Sequence, residues 1–396
     1  MSDEKLRQEA IRRHLAGEKV TDICRDVDRS RKWFYKWFQR YRDGDAPWFQ
    51  DRSHRPLSCP QRTEQRVEQL VLSVREHLEA TRYAQIGAGA IGWQIKKLGQ
   101  QPPPRWTIDR ILKRHGRIKC KPKYEKKNVA YPYFRDAQYP GYIHQTDLVG
   151  PRYIKGDGRF YSLNSMDIHS HAVHLEPIRS KDDDSVAEAF VSTWKCLGLP
   201  EYLQLDNELC FHGSHKYPRS FGRVLQLCLW LGIQPVFIPA GEPWRNGAIE
   251  HFNDTYDKRF FRTQKFSSFN ELKEQSPVFE DFHNANHCYS VLGGKTPQQA
   301  LERSSIQPHY LEQDFQIPDK IPMPDDGYIH LIRFIRSDLK LNIFSEKFTV
   351  SKALMYQYIR ATICLDYHVL KLYLGDDLVT ELEYRYSPWM TPLVEA

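Results

Sequence analysis

The sequence predicts a multidomain chain: N-terminal all-α helix-turn-helix units, a central mixed α/β sheet and a small C-terminal β-barrel. Three observations carry this. Apolar residues follow a helical period up to about residue 118. Strands and helices alternate from 141 to about 303. Short strands with turn residues between them recur from 328 to 384. At 396 residues the chain is too long for one ordinary domain, and an apolar fraction of 40% is enough to build several cores.

Charge is unevenly placed. Residues 1–128 hold 30 Lys and Arg against 16 Asp and Glu, whereas the remainder holds 27 against 34. A basic first third on an acidic remainder points to a polyanionic partner, double-stranded DNA, held mainly by the N-terminal part. None of the eight cysteines shares a CxxC spacing. This argues against a zinc ribbon or a disulfide framework and for reduced thiols. The charged start predicts no signal peptide, and no apolar run approaches membrane-spanning length. The expectation is a cytoplasmic, nucleoid-associated prokaryotic protein with no membrane contact.

The first domain, 1–44, reads as three helices. Glu4–Leu15 ends at Gly17, Val20–Val27 is short, and Ser30 can cap a third helix from Arg31 to Arg42. On that third helix Trp33, Phe34, Trp37 and Phe38 would pack inward, leaving Arg31, Lys32, Tyr35, Lys36 and Gln39 outward. A short helix, a tight turn and a basic helix is the plan in which the last helix enters the major groove. A plain three-helix bundle with a solvated basic face is the bland alternative. Arg52 and Arg55 stand in a Pro-containing linker, where a backbone-tracking role and mere flexibility weigh about equally. The second domain, 60–118, repeats the three-helix pattern with Glu64–Glu79, Ala88–Leu98 and Thr107–His115. A basic linker, 119–140, follows. Its Lys119, Lys121 and Lys123 alternate, as suits an extended strand laid along phosphates.

In the region 141–303 the predicted strands are Tyr142–Asp147, Phe160–Asp167, Ala172–Ile178, Tyr202–Asp206 and Pro235–Ile238. Helices are predicted over Asp182–Leu197, Phe221–Leu231, Asn246–Phe261 and Phe269–Tyr289. Two strands end on an aspartate, Asp147 and Asp206, and Glu250 lies one turn into a helix. Hard divalent cations take oxygen ligands. Two such ions, Mg²⁺ or Mn²⁺, bridged by Asp147 and flanked by Asp206 and Glu250, form the minimal phosphoryl-transfer site. Intervals of 58 and 43 residues leave room for the intervening strands and helices. Asp167 and the run Asp182-Asp183-Asp184 read as structural caps. His169, His171, His174, His283 and His287 read as surface or satisfied histidines, because neither group completes a zinc set. Residues 326–386, with up to six short strands, are expected to close into the small barrel.

The words His144-Gln145-Thr146-Asp147-Leu148-Val149-Gly150-Pro151, Leu205-Asp206-Asn207, Pro243-Trp244-Arg245-Asn246-Gly247-Ala248-Ile249-Glu250-His251-Phe252-Asn253 and Leu292-Gly293-Gly294-Lys295-Thr296-Pro297 resemble DDE transposases and integrases of the retroviral-integrase superfamily, most of all insertion-sequence transposases. The resemblance is close over 141–300. It implies an RNase H-like integrase core, a Mg²⁺-dependent site of Asp147, Asp206 and Glu250, cleavage and joining of DNA ends, and a homo-oligomer on DNA, with helper proteins left open. Two departures stand out. Glu208 occupies a position the family often gives to glycine. Asp257 occupies one where many members carry a basic residue, with Lys258 and Arg259 beside it. A non-catalytic DNA-binding descendant and a structure-selective nuclease are the competing functional readings.

Overall fold

The computed structural model describes residues 3–44, 47–51, 62–118, 130–132, 134, 137–213, 219–322, 325–344 and 346–386. The chain divides into two compact units, Met1–Thr63 and Glu64–Ala396.

The first unit is built from α1 (Asp3–Leu15), α2 (Val20–Asp26) and α3 (Arg31–Arg42). Ala10, Ile11, Ile23, Cys24 and Phe34 form its core, with Val20, Trp33, Phe38 and Trp48 packed around them. The Ser30 side chain accepts the Trp33 N–H at 3.2 Å and so starts α3. Buried Arg7 lays its guanidinium 3.9 Å over Trp37. It also donates to the Phe49 carbonyl at 2.7 Å and to Asp51 at 2.8 Å, tying the segment after α3 to α1.

The second unit begins with α4 (Gln65–Ala80), α5 (Ala88–Lys97) and α6 (Arg105–Arg114), the predicted second helical trio. Val71, Val74, Ile91, Ile95, Ile108 and Ile111 form their shared core. The trio is packed firmly onto the sheet domain that follows. Tyr83, between α4 and α5, meets Phe260, Phe279 and Phe282 edge-on. Its carbonyl takes a hydrogen bond from His287 Nε2 at 2.8 Å, and Gln85 Oε1 accepts the Cys288 N–H at 3.0 Å.

β1 (Ile143–Ile154), β2 (Gly158–Asp167) and β3 (Val173–Ile178) form an antiparallel meander. β4 (Tyr202–Leu205) and β5 (Gln234–Phe237) add to the other edge of β1 in parallel. Successive strand residues point to opposite faces, and both faces here are covered. Tyr161 and Leu163 pack with α7 (Asp183–Leu197) and α9 (Arg223–Trp230). Phe160 and Met166 pack with α10 (Gly247–Tyr256) and α11 (Phe269–Asn286). Two-sided burial runs through β2, where Phe160 to Asp167 are buried in succession, Ser162, Asn164, Ser165 and Asp167 included. The one-turn helix α8 (Leu209–His212) was not foreseen, and α12 (Pro297–Arg303) opens with a capping box at Thr296 and Gln299.

The C-terminal region corrects the sequence expectation. Its strands form close to where the pattern puts them: β6 (Tyr328–Phe334), β7 (Lys340–Ile343), β8 (Glu346–Thr349), β9 (Tyr358–Cys364), β10 (Val369–Leu374) and β11 (Asp377–Glu383). Among the described residues they do not close into a barrel. β6 pairs in parallel with β5 through Val236–His330 and Phe237–Leu331, and β9, β10 and β11 continue outward, giving one nine-stranded sheet. Only β7 and β8 stand apart, as a hairpin. The reason lies in β6. Ile329, His330, Leu331 and Ile332 are buried in succession, the mark of a strand covered on both faces. His330 bridges Gln234 and Thr362, each at 3.0 Å, locking β6 between β5 and β9.

Candidate active site

Asp147 does not end its strand, as the sequence suggested: β1 runs on to Ile154. The physical situation is nevertheless that of a strand end. The parallel pairing of β1 with β4 stops at Gln145–Gln204, so beyond it Asp147 has a neighbour only on the β2 side, Asn164. Asp206 follows the last residue of β4, and Glu250 sits in the first turn of α10. All three are half-buried at the carboxyl end of the parallel strands, where α/β sheets open a crevice.

Side-chain hydrogen bonds explain how α10 is held there. Gln145 Oε1 accepts the N–H groups of Ala248 and Ile249 at 3.1 and 3.3 Å, so a strand side chain satisfies the open amides of the helix start. Buried Asn246 donates to the Thr146 carbonyl at 3.1 Å and accepts from Gln204 at 3.0 Å. β1, β4 and the entry to α10 are thereby clipped together on either side of the carboxylates. One turn after Glu250, Asn253 Nδ2 donates to Asp147 Oδ2 at 2.7 Å. Asn253 is oriented in turn by Asn164 Nδ2 at 2.8 Å, and Asn164 by the Ser162 hydroxyl at 2.6 Å. Asp206 Oδ1 accepts the Glu208 N–H at 2.9 Å, which fixes the turn after β4.

The carboxylates feel one another. Burial, followed by the charges of Glu250, Asp206 and Glu208, pushes Asp147 up to about 7. Burial and then Glu208 raise Asp206, and burial and then Asp206 raise Glu250. Glu208, the departure from the family pattern, therefore adds negative charge at the site and stands 3.7 Å from Lys181. Mutually repelling, half-buried oxygen donors match the chemistry of a hard divalent cation. They are not drawn into a finished cage: among the described residues no group of three or more His, Cys, Asp or Glu side chains is gathered tightly enough to hold a metal ion.

The other anticipated residues fall into three sets. Arg31, Lys32, Tyr35, Lys36 and Gln39 are all exposed on α3, while Phe34 and Trp37 are buried beneath them. Arg52, Arg55, Lys119, Lys121 and Lys123 lie outside the described residues. The remaining set is structural. Asp167 accepts the N–H groups of Gly141 and Ser170 at 2.9 and 2.7 Å. Asp182 caps α7 through the Ser185 N–H. His283 is buried against the Tyr289 hydroxyl at 2.8 Å, and burial drives its basicity well down. Asp257 is buried between Arg152 at 2.9 Å and Arg262 at 2.8 Å, a packing role that removes it from any outward contact. Asn207 donates to the Ile238 carbonyl at 2.6 Å.

Comparison with known proteins adds two domain matches. Residues 1–49 match the homeodomain-like domain family, and residues 231–297 match the integrase core domain family. Among solved structures, the chain is similar to the HTLV-2 integrase catalytic core in complex with magnesium, at 18% identity over 41% of this chain and 98% of that one, with a TM-score of 0.32. A second is the catalytic core of BIV integrase, at 17% identity over 40% and 92%, with a TM-score of 0.31. A third is the simian T-cell lymphotropic virus intasome bound to a PP2A regulatory subunit, at 15% identity over 76% and 93%, with a TM-score of 0.37.

Proposed function

We propose that this chain, which carries a homeodomain-like domain and an integrase core domain of the transposase and integrase superfamily, is a transposase that binds the ends of a mobile DNA element and cleaves and joins DNA there. The observation that carries the reading is the gathering of Asp147, Asp206 and Glu250 in one crevice at the carboxyl end of the parallel strands, where burial first and then the charges of Glu250, Asp206 and Glu208 push Asp147 up to about 7. Ion pairing with cations would relieve that repulsion. Two Mg²⁺ or Mn²⁺ ions held by the three carboxylates would supply activation of the attacking oxygen and stabilisation of the leaving one.

The protein's own part is positioning. Asp147 must give up its proton to act as a ligand, and Asn253 keeps the freed carboxylate aimed. Gln145 and Asn246 hold the helix that carries Glu250 against the strands. The exposed face of α3 reads the element end through the major groove, and its cations add salt-dependent affinity. Pairing two ends before joining calls for a homo-oligomer on DNA. No helix of the described chain is long and apolar enough to cross a membrane.

The test uses DNA carrying the sequences that flank the gene on both sides, with a target plasmid and Mg²⁺ or Mn²⁺. Products joined to the plasmid support a transposase. Cleavage without joining moves the reading to a structure-selective nuclease. Specific binding with no metal-dependent product moves it to a non-catalytic DNA-binding protein.

A further inference from the structure

Arg333 lies on β6, outside both matched domains and 126 residues from Asn207. Its guanidinium reaches back across β5 to the turn that carries Asp206. Nη2 donates to Asn207 Oδ1 at 2.8 Å. Nη1 donates to the Ile332 carbonyl at 2.9 Å and the Ile238 carbonyl at 3.1 Å, and Nε donates to the Asn342 carbonyl at 3.0 Å. The Ile238 carbonyl also takes the Asn207 amide at 2.6 Å, so Asn207 and Arg333 share one acceptor just past the last β4–β5 pair, Leu205–Phe237. Asn207 is thus held at both ends of its side-chain amide, and its backbone neighbour is Asp206.

We propose that Arg333 is a positioning residue for Asp206, acting through Asn207, and that the strands after residue 325 are a working part of the catalytic domain. The fork geometry of arginine is what the site uses. Three nitrogens point to separate acceptors: Nη1 to carbonyls on β6 and just after β5, Nε to a carbonyl on β7 and Nη2 to the Asp206 turn, which a lysine cannot serve together. Without the fork, Asn207 keeps only the Ile238 carbonyl, and the Asp206 carboxylate loses the rigidity of its neighbour. The inference rests on the metal-dependent reading of the carboxylates given above.

The experiment uses the full-length chain as wild type, Arg333→Gln, Arg333→Lys, Asn207→Ala and the double variant Arg333→Gln/Asn207→Ala. Two readouts run together: the midpoint of the rise in Tm as Mg²⁺ or Ca²⁺ is titrated in without DNA, and end cleavage at saturating Mg²⁺. DNA affinity and circular dichroism serve as controls. Loss of an outer partner of a metal ligand weakens metal binding or activity by roughly 10–100-fold. Arg333→Gln and Asn207→Ala should each move the metal midpoint upward by about that range at unchanged DNA affinity, and the double variant should be no worse than either. Arg333→Lys should fall between. A wild-type metal midpoint and wild-type cleavage in Arg333→Gln would overturn the inference. So would effects that simply add in the double variant. If Arg333→Gln does not fold, Asn207→Ala alone decides. Absence of any metal response or cleavage in the wild type would instead overturn the transposase reading itself.

Discussion

Asn253 donates to Asp147 across 2.7 Å from one helical turn beyond Glu250, so a single face of α10 carries one carboxylate of the site and the hydrogen bond that orients another. The spacing of three residues is what places both side chains on that face. Asn164, directly opposite Asp147 in β2, completes the support.

Asn253→Ala should reduce end cleavage by roughly 10–100-fold while leaving DNA affinity unchanged, because it removes the orienting partner and no ligand. Asn253→Asp should be at least as damaging, since it places a further negative charge beside a carboxylate already raised by burial and then by its neighbours. Single-turnover cleavage and gel-shift assays on the same preparations separate the two effects.

The proton on Asp147 has a stability consequence with a definite sign. Its folded-state value of about 7 lies above the ordinary 3.8, so the native state binds more protons than the unfolded chain between those limits. Without metal, this group's contribution to stability falls as pH rises from about 4 to about 7, by at most about 4 kcal/mol. Asp147→Asn should abolish that fall and leave a protein more stable than wild type at pH 8. Urea unfolding of both proteins at pH 5 and pH 8 reads the difference directly.

Asn246 is buried and spends its amide on Thr146 and Gln204. Asn246→Ala removes the donor to the Thr146 carbonyl and leaves Gln204 Nε2 only the Arg245 carbonyl, and should cost about 1–3 kcal/mol. Activity should fall further than stability alone accounts for, because Glu250 rides on the helix that Asn246 anchors. Denaturant midpoints and cleavage rates measured well below the midpoint check both parts.

On α3, the cations are expected to act through phosphates. Lys36→Gln should lower the slope of log affinity against log salt by about 1 and weaken binding to all sequences alike. Gln39→Ala should instead relax sequence preference. Ser30→Ala removes the cap and should cost about 1 kcal/mol in the N-terminal unit, with little effect on the salt slope.

Much of the secondary structure was legible because periodicity is local. The helical spacing of Phe34 and Trp37 and the apolar Val236, Phe237 and Ile238 at β5 needed no knowledge of what lay across from them. The crevice was legible for a related reason: the words around Asp147, Asp206 and Glu250 contain residues that clip its strands and helix together, Gln145 and Asn246 among them. What stayed hidden is pairing at long range. No local pattern tells β6 to add to β5 through two residue pairs, so six well-placed strands were assembled into the wrong architecture. The same limit hid Arg333, whose partner stands 126 residues earlier. The burial of Ile329 to Ile332 in succession became visible only in the structure, because His330 interrupts the apolar run in the sequence.

The most direct test of the account compares wild type with Asp147→Asn, Asp206→Asn and Glu250→Gln in strand transfer from flanking-end DNA to a plasmid, with Mg²⁺ and with Mn²⁺. Joined product is expected from wild type only, with all three variants folded and binding the ends as tightly as wild type. Joined product from any of the three at the wild-type rate would contradict it.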